Sequence, residues 1–388
     1  MNILEEIQNC PVEWKELGEV VDTVTSPVKL TKKEYQVTGR IPIVDQGEQF
    51  VAGYADNEKY LEKDEYIIFG DHSEHVKYVD FAFVQGADGL KILKPKSGIK
   101  AKYIYYCFCN FYKKEGSYKR HWSKARTVLI PIPPQEIQEK IVQILDKFTD
   151  YVTELTSELT SRKKQYSFYR DKLLSFEDEV YQVEWKTLEE VAKFNYGYTD
   201  KAKDTGDVRF IRITDIDENG YLKSNDKKYI ALSEESRNYL VKYGDLLMAR
   251  TGATYGKTLF IDTDEARAYA SFLIKITPSE ELNSRYYWHF SKSKLYWKQA
   301  NNLVSKAGQP QFNANSLKNV KIPVPSLEIQ SRIIQVLDNF DMVCNDLNIG
   351  LPKEIELRQK QYEYFREKLL TFTAEGVYTD STVQTRPH

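Results

Sequence analysis

The longest regular pattern of apolar positions follows Pro133 and Pro134 and continues to Phe176. Its positions alternate by four and three residues, and all but one of them are apolar or aromatic. A seam of this length predicts a coiled-coil helix rather than a helix lying on a globular core. A helix over residues 135–176 would be about 63 Å long, so we expect it to separate two domains. The seam positions are 141, 145, 148, 152, 155, 159, 162, 166, 169, 173 and 176.

A second seam of the same kind begins at Ile333 and ends at Phe372. Its middle carries four extra residues, where Gly350, Leu351 and Pro352 stand together, so we expect this helix to be broken or kinked there and the first helix to be straighter. The first helix leaves the first domain, and the second helix leaves the second domain. The two seams therefore pair most easily antiparallel, which places the domains at opposite ends, related by an approximate two-fold axis.

The regions before each helix contain short apolar runs bounded by turn residues, which are typical of β-strands. A segment with helical spacing follows each set of runs, at residues 103–112 and 284–298. Strands followed by helices in this way predict an α+β fold for each region. The predicted strands are 41–44, 66–69, 78–84 and 90–93 in the first region, and 209–213, 246–249, 258–261 and 272–276 in the second.

The two halves of the chain share three blocks of sequence in the same order, which indicates an internal duplication. The blocks lie at the edges of the halves, whereas the regions between them are unlike. Divergence of two surfaces on a retained frame leaves this pattern, while drift under packing constraints alone would spread the similarity more evenly. The blocks are Val12–Val20 with Val183–Val191, Ile130–Gln138 with Ile322–Gln330, and Lys164–Phe176 with Lys360–Phe372.

Composition is that of an ordinary soluble globular protein, with 41% hydrophobic and 29% charged residues. A chain of 388 residues has room for two or three domains. The apolar runs are far shorter than the roughly 20 residues that a bilayer requires. The segment that Met1 begins has no secretory signal features, so we expect a cytoplasmic protein without membrane contact. The 4 cysteines follow neither a disulfide framework nor a zinc spacing.

The formal net charge of −2 hides an uneven distribution of charge. Between Asp88 and Glu136 the only acidic residue is Glu115, and between Glu281 and Glu328 there is none. One such segment is readily explained as a solvated face, but two in corresponding places indicate binding to a polyanion. The basic residues of the two segments are Lys91, Lys94, Lys96, Lys100, Lys102, Lys113, Lys114, Lys119, Arg120, Lys124 and Arg126, and Arg285, Lys292, Lys294, Lys298, Lys306, Lys318 and Lys321.

Basic and aromatic residues interleave in residues 113–126, a pattern suited to the phosphates and base edges of DNA. The corresponding residues 306–315 carry amides that can form two hydrogen bonds with adenine, although such amides equally suit a solvent-facing turn. A Gly-rich turn at residues 250–258 suits a loop that approaches DNA, and the loop of His72 takes the corresponding place. The candidate DNA-contact residues are Lys113, Lys114, Lys119, Arg120, Trp122, Lys124, Arg126, His72, Arg250, Thr251, Tyr255, Lys257, Lys306, Gln309, Gln311 and Asn313.

Two other interpretations of these loops fit less well. Residues 252–258 place three residues between the glycines where a phosphate loop needs four, and a strand rather than a helix follows. Asp71, His72 and His75 offer three metal ligands on one short loop, without the further groups that orient such ligands. We therefore expect neither a nucleotide site nor a metal site.

Both helix ends carry a dense set of aromatic and charged residues, at 166–170 and 362–366. These sets exceed what one two-stranded seam can bury, so we expect helices of partner proteins to contact them. A purely structural spacer is the alternative. The candidate partner-binding residues are Tyr166, Tyr169, Arg170, Tyr362, Phe365 and Arg366.

Over nearly the whole chain, these motifs resemble the specificity subunits of type I restriction–modification systems. The most specific marks are Arg-Lys-Lys-Gln-Tyr-x-Phe-Tyr-Arg-Asp-Lys-Leu-Leu at 162–174 and its copy at 358–370. The Ile-Pro-x-Pro boundaries and the tracts 244–252 and 308–313 also look like this family. The resemblance implies two target-recognition domains that read a bipartite double-stranded DNA sequence. It also implies helices that hold two methyltransferase subunits, with motor-nuclease subunits joining for restriction.

This resemblance gives an α+β architecture of two target-recognition domains separated by two long antiparallel coiled-coil helices, with an internal pseudo-two-fold duplication. The expected recognition domains are residues 1–133 and 179–325. The expected helices are residues 134–178 and 326–374, and a flexible tail is expected at 375–388.

The chain lacks the Asn-Pro-Pro-aromatic tetrapeptide of adenine methylation and a complete phosphate loop for translocation. We therefore expect a non-catalytic reader without a cofactor of its own, with S-adenosylmethionine, ATP and Mg²⁺ in partner subunits. Two alternatives stay open. A coiled-coil scaffold without DNA binding leaves the acid-poor segments unexplained, and a specificity subunit of a related single-cut or type IIB-like enzyme shares the same motifs.

Overall fold

The structure, a computed structural model, describes residues 3–177, 183–305 and 308–372. The chain divides into two compact units. Unit 1 comprises Met1–Glu154 and Glu356–His388, and unit 2 comprises Leu155–Ile355. Strands and helices mix in both units, which confirms the predicted α+β class.

In each half of the chain, one ribbon strand precedes two small sheets, and the second ribbon strand precedes the long helices. The elements up to the first long helix are α1 (Ile3–Gln8), β1 (Glu13–Glu16), α2 (Leu17–Val20), β2 (Val21–Val24), β3 (Lys29–Leu30), β4 (Ile41–Val44), β5 (Gly53–Ala55), β6 (Tyr66–Gly70), β7 (Val76–Val79), β8 (Val84–Gly86), β9 (Leu90–Pro95), α3 (Ala101–Phe111), α4 (Trp122–Ala125), β10 (Leu129–Ile132) and α5 (Gln135–Ser175). The remaining elements are β11 (Glu184–Thr187), α6 (Leu188–Val191), β12 (Ala192–Tyr196), β13 (Val208–Ile211), β14 (Tyr229–Ile230), β15 (Leu240–Val241), β16 (Leu246–Ala249), β17 (Thr258–Phe260), β18 (Arg267–Tyr269), β19 (Leu273–Pro278), α7 (Ser284–Phe290), α8 (Lys294–Leu303), α9 (Ala314–Lys318), β20 (Lys321–Val324), α10 (Leu327–Asn345) and α11 (Leu351–Leu369).

The two units have the same sheet topology. In unit 1 the strand orders are β2-β9-β6-β7 and β3-β8-β4-β5, and in unit 2 they are β12-β19-β16-β17 and β15-β18-β13-β14. Each second sheet combines one parallel central pair with an antiparallel neighbour. The exception to this common topology is one edge strand of the second sheet. β3 runs parallel to its neighbour β8 and is the first strand of its sheet along the chain, whereas β15 runs antiparallel to its neighbour β18 and follows β13 and β14. The duplication predicted from the sequence edges therefore extends through the unlike middles.

The repeated sequence blocks at the start and end of each region form the two strands of one ribbon. β1 pairs with β10 and β11 pairs with β20, with Trp14 opposite Pro131 and Trp185 opposite Pro323. Proline lacks a backbone N–H, and a two-stranded ribbon accepts it because each strand needs a hydrogen-bonding partner on one side only. The ribbon closes each region just before its long helix begins.

A buried glutamine fixes the start of each long helix. Gln138 donates to the Pro133 carbonyl at 2.9 Å and accepts from the Lys100 N–H at 3.0 Å. Gln330 donates to the Pro325 carbonyl at 2.9 Å and accepts from the N–H of Asn283. Buried polar groups without partners destabilise a fold, so these paired bonds explain why glutamine recurs after each Ile-Pro-x-Pro motif.

The long helices agree with the seam predictions. α5 is continuous over 41 residues, whereas α10 ends before Gly350 and α11 begins after it. In unit 1, Phe148 stacks on Phe365 at 5.1 Å and Tyr151 contacts Arg358 at 5.0 Å, so α5 and α11 pair antiparallel. In unit 2, α5 pairs with α10 through aromatic stacking on Phe340.

Two predicted elements are corrected. The predicted strand 78–84 is two strands, β7 and β8, which belong to different sheets. The predicted helix 284–298 is interrupted at residues 291–293, where the Ser293 hydroxyl accepts from the Tyr296 N–H and starts α8. Serine at such a position favours a helix start over a helix interior. The predicted tail at 375–388 lies outside the described residues.

No helix in the described part of the chain is long and apolar enough to cross a membrane.

Candidate nucleic-acid interface

In each unit, the residue that follows one central strand of the first sheet, β6 or β16, forms a backbone hydrogen bond with the segment just before a short helix. This helix is α4 in unit 1 and α9 in unit 2. The Asp71 carbonyl, after β6, accepts the N–H of His121 at 2.9 Å. The Arg250 carbonyl, after β16, accepts the N–H of Phe312 at 2.8 Å. The loop of His72 and the turn at residues 250–258 were predicted to occupy corresponding places. Each of them contacts its basic segment (113–126) or amide-rich segment (306–315) at the same point of the fold.

In unit 1 the predicted basic segment is an exposed loop at residues 113–120, followed by the short helix α4. Lys113, Lys114, Arg120 and Arg126 are exposed and form no ion pair with another described residue. Lys119 and Lys124 instead pair with Glu115, at 2.5 and 2.6 Å. Hydrogen bonds from these two lysines lower the pKa of Glu115 to about 2. Within the described part of the chain, Lys113, Lys114, Arg120 and Arg126 are therefore the cations of this segment that Glu115 leaves unpaired.

Two of the candidate residues in unit 1 have structural contacts. Trp122 is half-buried and its ring lies 6.1 Å from that of Phe69, so much of it belongs to the core. His72 is half-buried; its ring stacks on Tyr118 at 5.2 Å, and its Nδ1 lies 3.2 Å from the Lys119 carbonyl. His72 therefore contacts the basic loop at two residues, through the Tyr118 ring and the Lys119 carbonyl.

Asp71, which lies next to His72, accepts hydrogen bonds from backbone N–H groups. The Asp71 carboxylate accepts the N–H groups of His121 and Trp122, at 2.9 and 2.8 Å. No group of three or more metal-ligating side chains occurs in the described ranges.

In unit 2, Arg250 presents its guanidinium between two exposed aromatic rings. The rings of Tyr196 and Phe272 each lie 5.3 Å from the guanidinium carbon. The Arg250 Nε donates to the Ser271 carbonyl at 3.0 Å, while its two terminal nitrogens have no hydrogen-bond partner among the described residues. A guanidinium fixed at Nε with its fork free can form two hydrogen bonds with guanine.

Among the other polar candidates of unit 2, two bond each other and a third caps a helix. Thr251 is buried and accepts from the Gln311 amide at 2.8 Å. The side-chain amide oxygen of Asn313 accepts from the Ser316 N–H and caps α9. Gln309 is exposed. Its amide nitrogen lies 3.1 Å from the position that a Cβ atom at Gly252 would take, so the two residues are close neighbours.

Two further candidates flank this turn, and one cannot be placed. Tyr255 donates its hydroxyl proton to the Asn301 amide oxygen at 2.6 Å. Lys257 is half-buried. Lys306 lies outside the described residues.

The acid-free segment of unit 2 is mostly neutralised in three dimensions. Arg285 pairs with Asp338 at 2.8 Å, Lys292 with Asp341 at 3.4 Å, and Lys318 with a glutamate of α6. Ion pairs therefore remove part of the positive charge that the sequence concentrates in this segment. Lys298 and Lys321 stay exposed and form no ion pair with another described residue.

The candidate partner residue Tyr166 is only 6% exposed, which corrects its predicted role. Its hydroxyl lies 3.2 Å from Nδ1 of His289, whose Nε2 lies 2.7 Å from the Asp338 carboxylate. Burial lowers the pKa of His289 to about 4, so a neutral ring donates to Asp338 and accepts from Tyr166. Arg170 lies over the Tyr166 ring at 5.4 Å.

The equivalent residues of α11 have comparable contacts within unit 1. The Tyr362 ring lies 6.5 Å from that of Tyr106, and Arg366 donates to the Asn110 amide oxygen. Phe365 stacks on α5. The aromatic side chains that remain exposed in these helix ends are Phe168, Tyr169 and Tyr364, at 60, 44 and 56%.

These features define a class of protein: a duplicated α+β unit that presents different side chains at one equivalent place, joined to helices with exposed aromatic residues. The family model described as the type I restriction modification DNA specificity domain matches residues 11–162 and 182–357. The chain belongs to this family. It is a specificity subunit of the type I restriction–modification kind, and such subunits are not catalytic.

Similar proteins cover nearly the whole chain. The EcoR124I/EcoR124II specificity subunit of Escherichia coli is 35% identical over 408 residues, which span 96% of this chain and 97% of that protein. A putative type I restriction enzyme specificity subunit of Haemophilus influenzae is 30% identical over 394 residues, covering 95% and 97%. The fold is similar to the S subunit of a type I system from M. genitalium, with a TM-score of 0.61 at 15% identity over 94% of this chain and 98% of that one.

Proposed function

We propose that this chain gives a type I restriction–modification complex its DNA specificity, with each unit reading one half of a bipartite target. The recognition domains are residues 1–133 and 179–325. The helices position two methyltransferase subunits and, for restriction, the motor-nuclease subunits. S-adenosylmethionine, ATP and Mg²⁺ act in those partners, and the complex works in the cytoplasm.

One observation carries this proposal. The same backbone crossing in the two units holds Asp71, His72 and His121 in one case, and Arg250, Thr251 and Phe312 in the other. A frame that keeps its topology while replacing the side chains at one equivalent place, where His72 and Arg250 are half-buried, is what a reader of two different half-sites requires. A scaffold without DNA binding gives no reason for this replacement.

We expect the affinity of the complex for DNA to fall steeply with salt, because lysine and arginine contacts release counterions from the phosphates. If roughly 6 to 10 phosphates are contacted, the binding constant falls about 10³-fold or more between about 50 and 200 mM salt. Fluorescence anisotropy of labelled duplex with the purified methyltransferase complex measures this slope. A flat response would favour the scaffold alternative.

Single charge variants sharpen this test. Lys113→Gln and Lys114→Gln each remove an unpaired exposed cation and are expected to reduce the salt slope by about one unit. Lys94→Gln is the matched control, since Lys94 already pairs with Asp64, and its slope is expected to equal that of the unmodified complex.

A further inference from the structure

Two carboxylates of one loop hold both ends of the segment formed by residues 115–122, here named the clamped loop. Glu74 accepts the N–H groups of Glu115, at 3.0 and 3.1 Å, and of Gly116, at 2.8 Å. Asp71 accepts the N–H groups of the last two residues of the loop. The backbone of an exposed loop is thereby fixed at both ends by buried acids.

Glu74 is built for this role. It is 2% exposed and has a positive φ of 57°, a conformation that is rare for residues other than glycine. Burial alone would raise the pKa of Glu74, but hydrogen bonds from Tyr112, Glu115 and Gly116 outweigh it and lower the pKa. The carboxylate therefore stays ionised, and charge-assisted hydrogen bonds of this kind are stronger than neutral ones.

The tip of the clamped loop is Tyr118, whose side chain is 89% exposed. Its ring stacks on His72 with an interplanar angle of 21°. His72 in turn contacts the carbonyl of Lys119. An aromatic ring is thus held out into solvent in a defined orientation, on a loop whose ends cannot move freely.

The charges around this ring are those of a nucleic-acid surface. Lys113, Lys114 and Arg120, which lie within five residues of Tyr118 in the sequence, are exposed and form no ion pair with another described residue, while Lys119 and Lys124 pair with Glu115. Aromatic rings interact favourably with bases, and apolar or aromatic side chains inserted in a groove contact base edges and base steps. A ring used only to complete the fold would instead be covered.

We propose that the clamped loop is the reading element of unit 1, with Tyr118 inserted in a groove of the first half-site and Asp71 and Glu74 as positioning residues. This inference rests on the proposed function, because it needs a DNA half-site for unit 1. It assigns specificity to a residue outside the basic side chains that the sequence singled out. It also explains why two buried acids bind the backbone of an exposed loop that carries cations.

The test uses the complete methyltransferase complex and three variants. Tyr118→Ala is expected to weaken binding to a duplex with both half-sites about tenfold, since base–aromatic contacts are worth that much. Its preference for an intact over a scrambled first half-site falls, while its preference for an intact second half-site is unchanged. Tyr118→Phe keeps most of the affinity. Tyr54→Ala, at an exposed tyrosine of β5, is the control and keeps all of it.

Glu74→Gln tests the positioning role through a different readout. Amide hydrogen exchange of residues 113–122 is expected to accelerate, with a loss of first half-site preference in the same direction as for Tyr118→Ala. The inference is overturned if Tyr118→Ala binds within twofold of the unmodified complex, or if its two half-site preferences fall equally. If the unmodified complex discriminates neither half-site, the proposed function itself fails.

Discussion

Exchanging residues 183–321 for the equivalent domain of another member of the family is expected to change one half of the methylated sequence and to leave the other half intact. The physical reason is that the frame of unit 2 is common to both units. The ribbon, the buried Gln330 and the Tyr286 hydroxyl bond to the Pro323 carbonyl, at 3.0 Å, have counterparts in unit 1. A foreign domain with the same frame therefore finds the same attachment.

Methylation mapping of cellular DNA scores this exchange. The reciprocal exchange in unit 1, which ends before Ile130, is the control and is expected to change the other half only. A map in which both halves change after the first exchange, or in which neither does, would show that the two units do not read independently.

Inserting one tetrapeptide after Thr160 is expected to keep both half-sites and to lengthen the gap between them. α5 is continuous there, and Thr153–Thr156 and Ser157–Thr160 are near-repeats. Four residues add about 6 Å and about 40° beyond a full turn. One base pair is about 3.4 Å of duplex. The gap therefore grows by one or two base pairs if the seam of α5 tolerates four extra residues, as the second seam does at Gly350.

Two measurements separate a working spacer from a damaged one. Circular dichroism establishes whether the variant folds, and methylation mapping measures its gap. The length-neutral variant Ser157→Ala/Thr160→Ala is the control, and its gap is expected to stay unchanged. A folded and active insertion variant with an unchanged gap would show that α5 does not set the spacing.

Repeats and periodicity predicted most of the frame. The continuous α5 and the break at Gly350 followed from seam positions, since apolar spacing in a helix depends on the local sequence alone. The Ile-Pro-x-Pro blocks marked the domain edges, although their strand pairing with Trp14 and Trp185 joins segments more than a hundred residues apart. Pairings of that range are not encoded in local spacing.

The site was harder to predict because its electrostatics depend on distant partners. The sequence shows Arg285 and Lys292 in a segment without acidic residues, but in the fold both form ion pairs with aspartates of α10. Tyr166 resembled a partner contact, but its hydroxyl meets His289. Conversely, Tyr118 carries no sequence signal beyond its basic neighbours, and its loop is bound at one end by Glu74, which lies some forty residues away.

The most direct test of the central claim is base-resolution methylation sequencing of DNA from cells that carry this chain with its methyltransferase partner. We expect methylated adenines within one motif of two specified blocks, separated by a gap of fixed length and unspecified sequence, and we expect this methylation to be lost when the chain is deleted. Methylation that persists without the chain, or a motif of one continuous block, would contradict it.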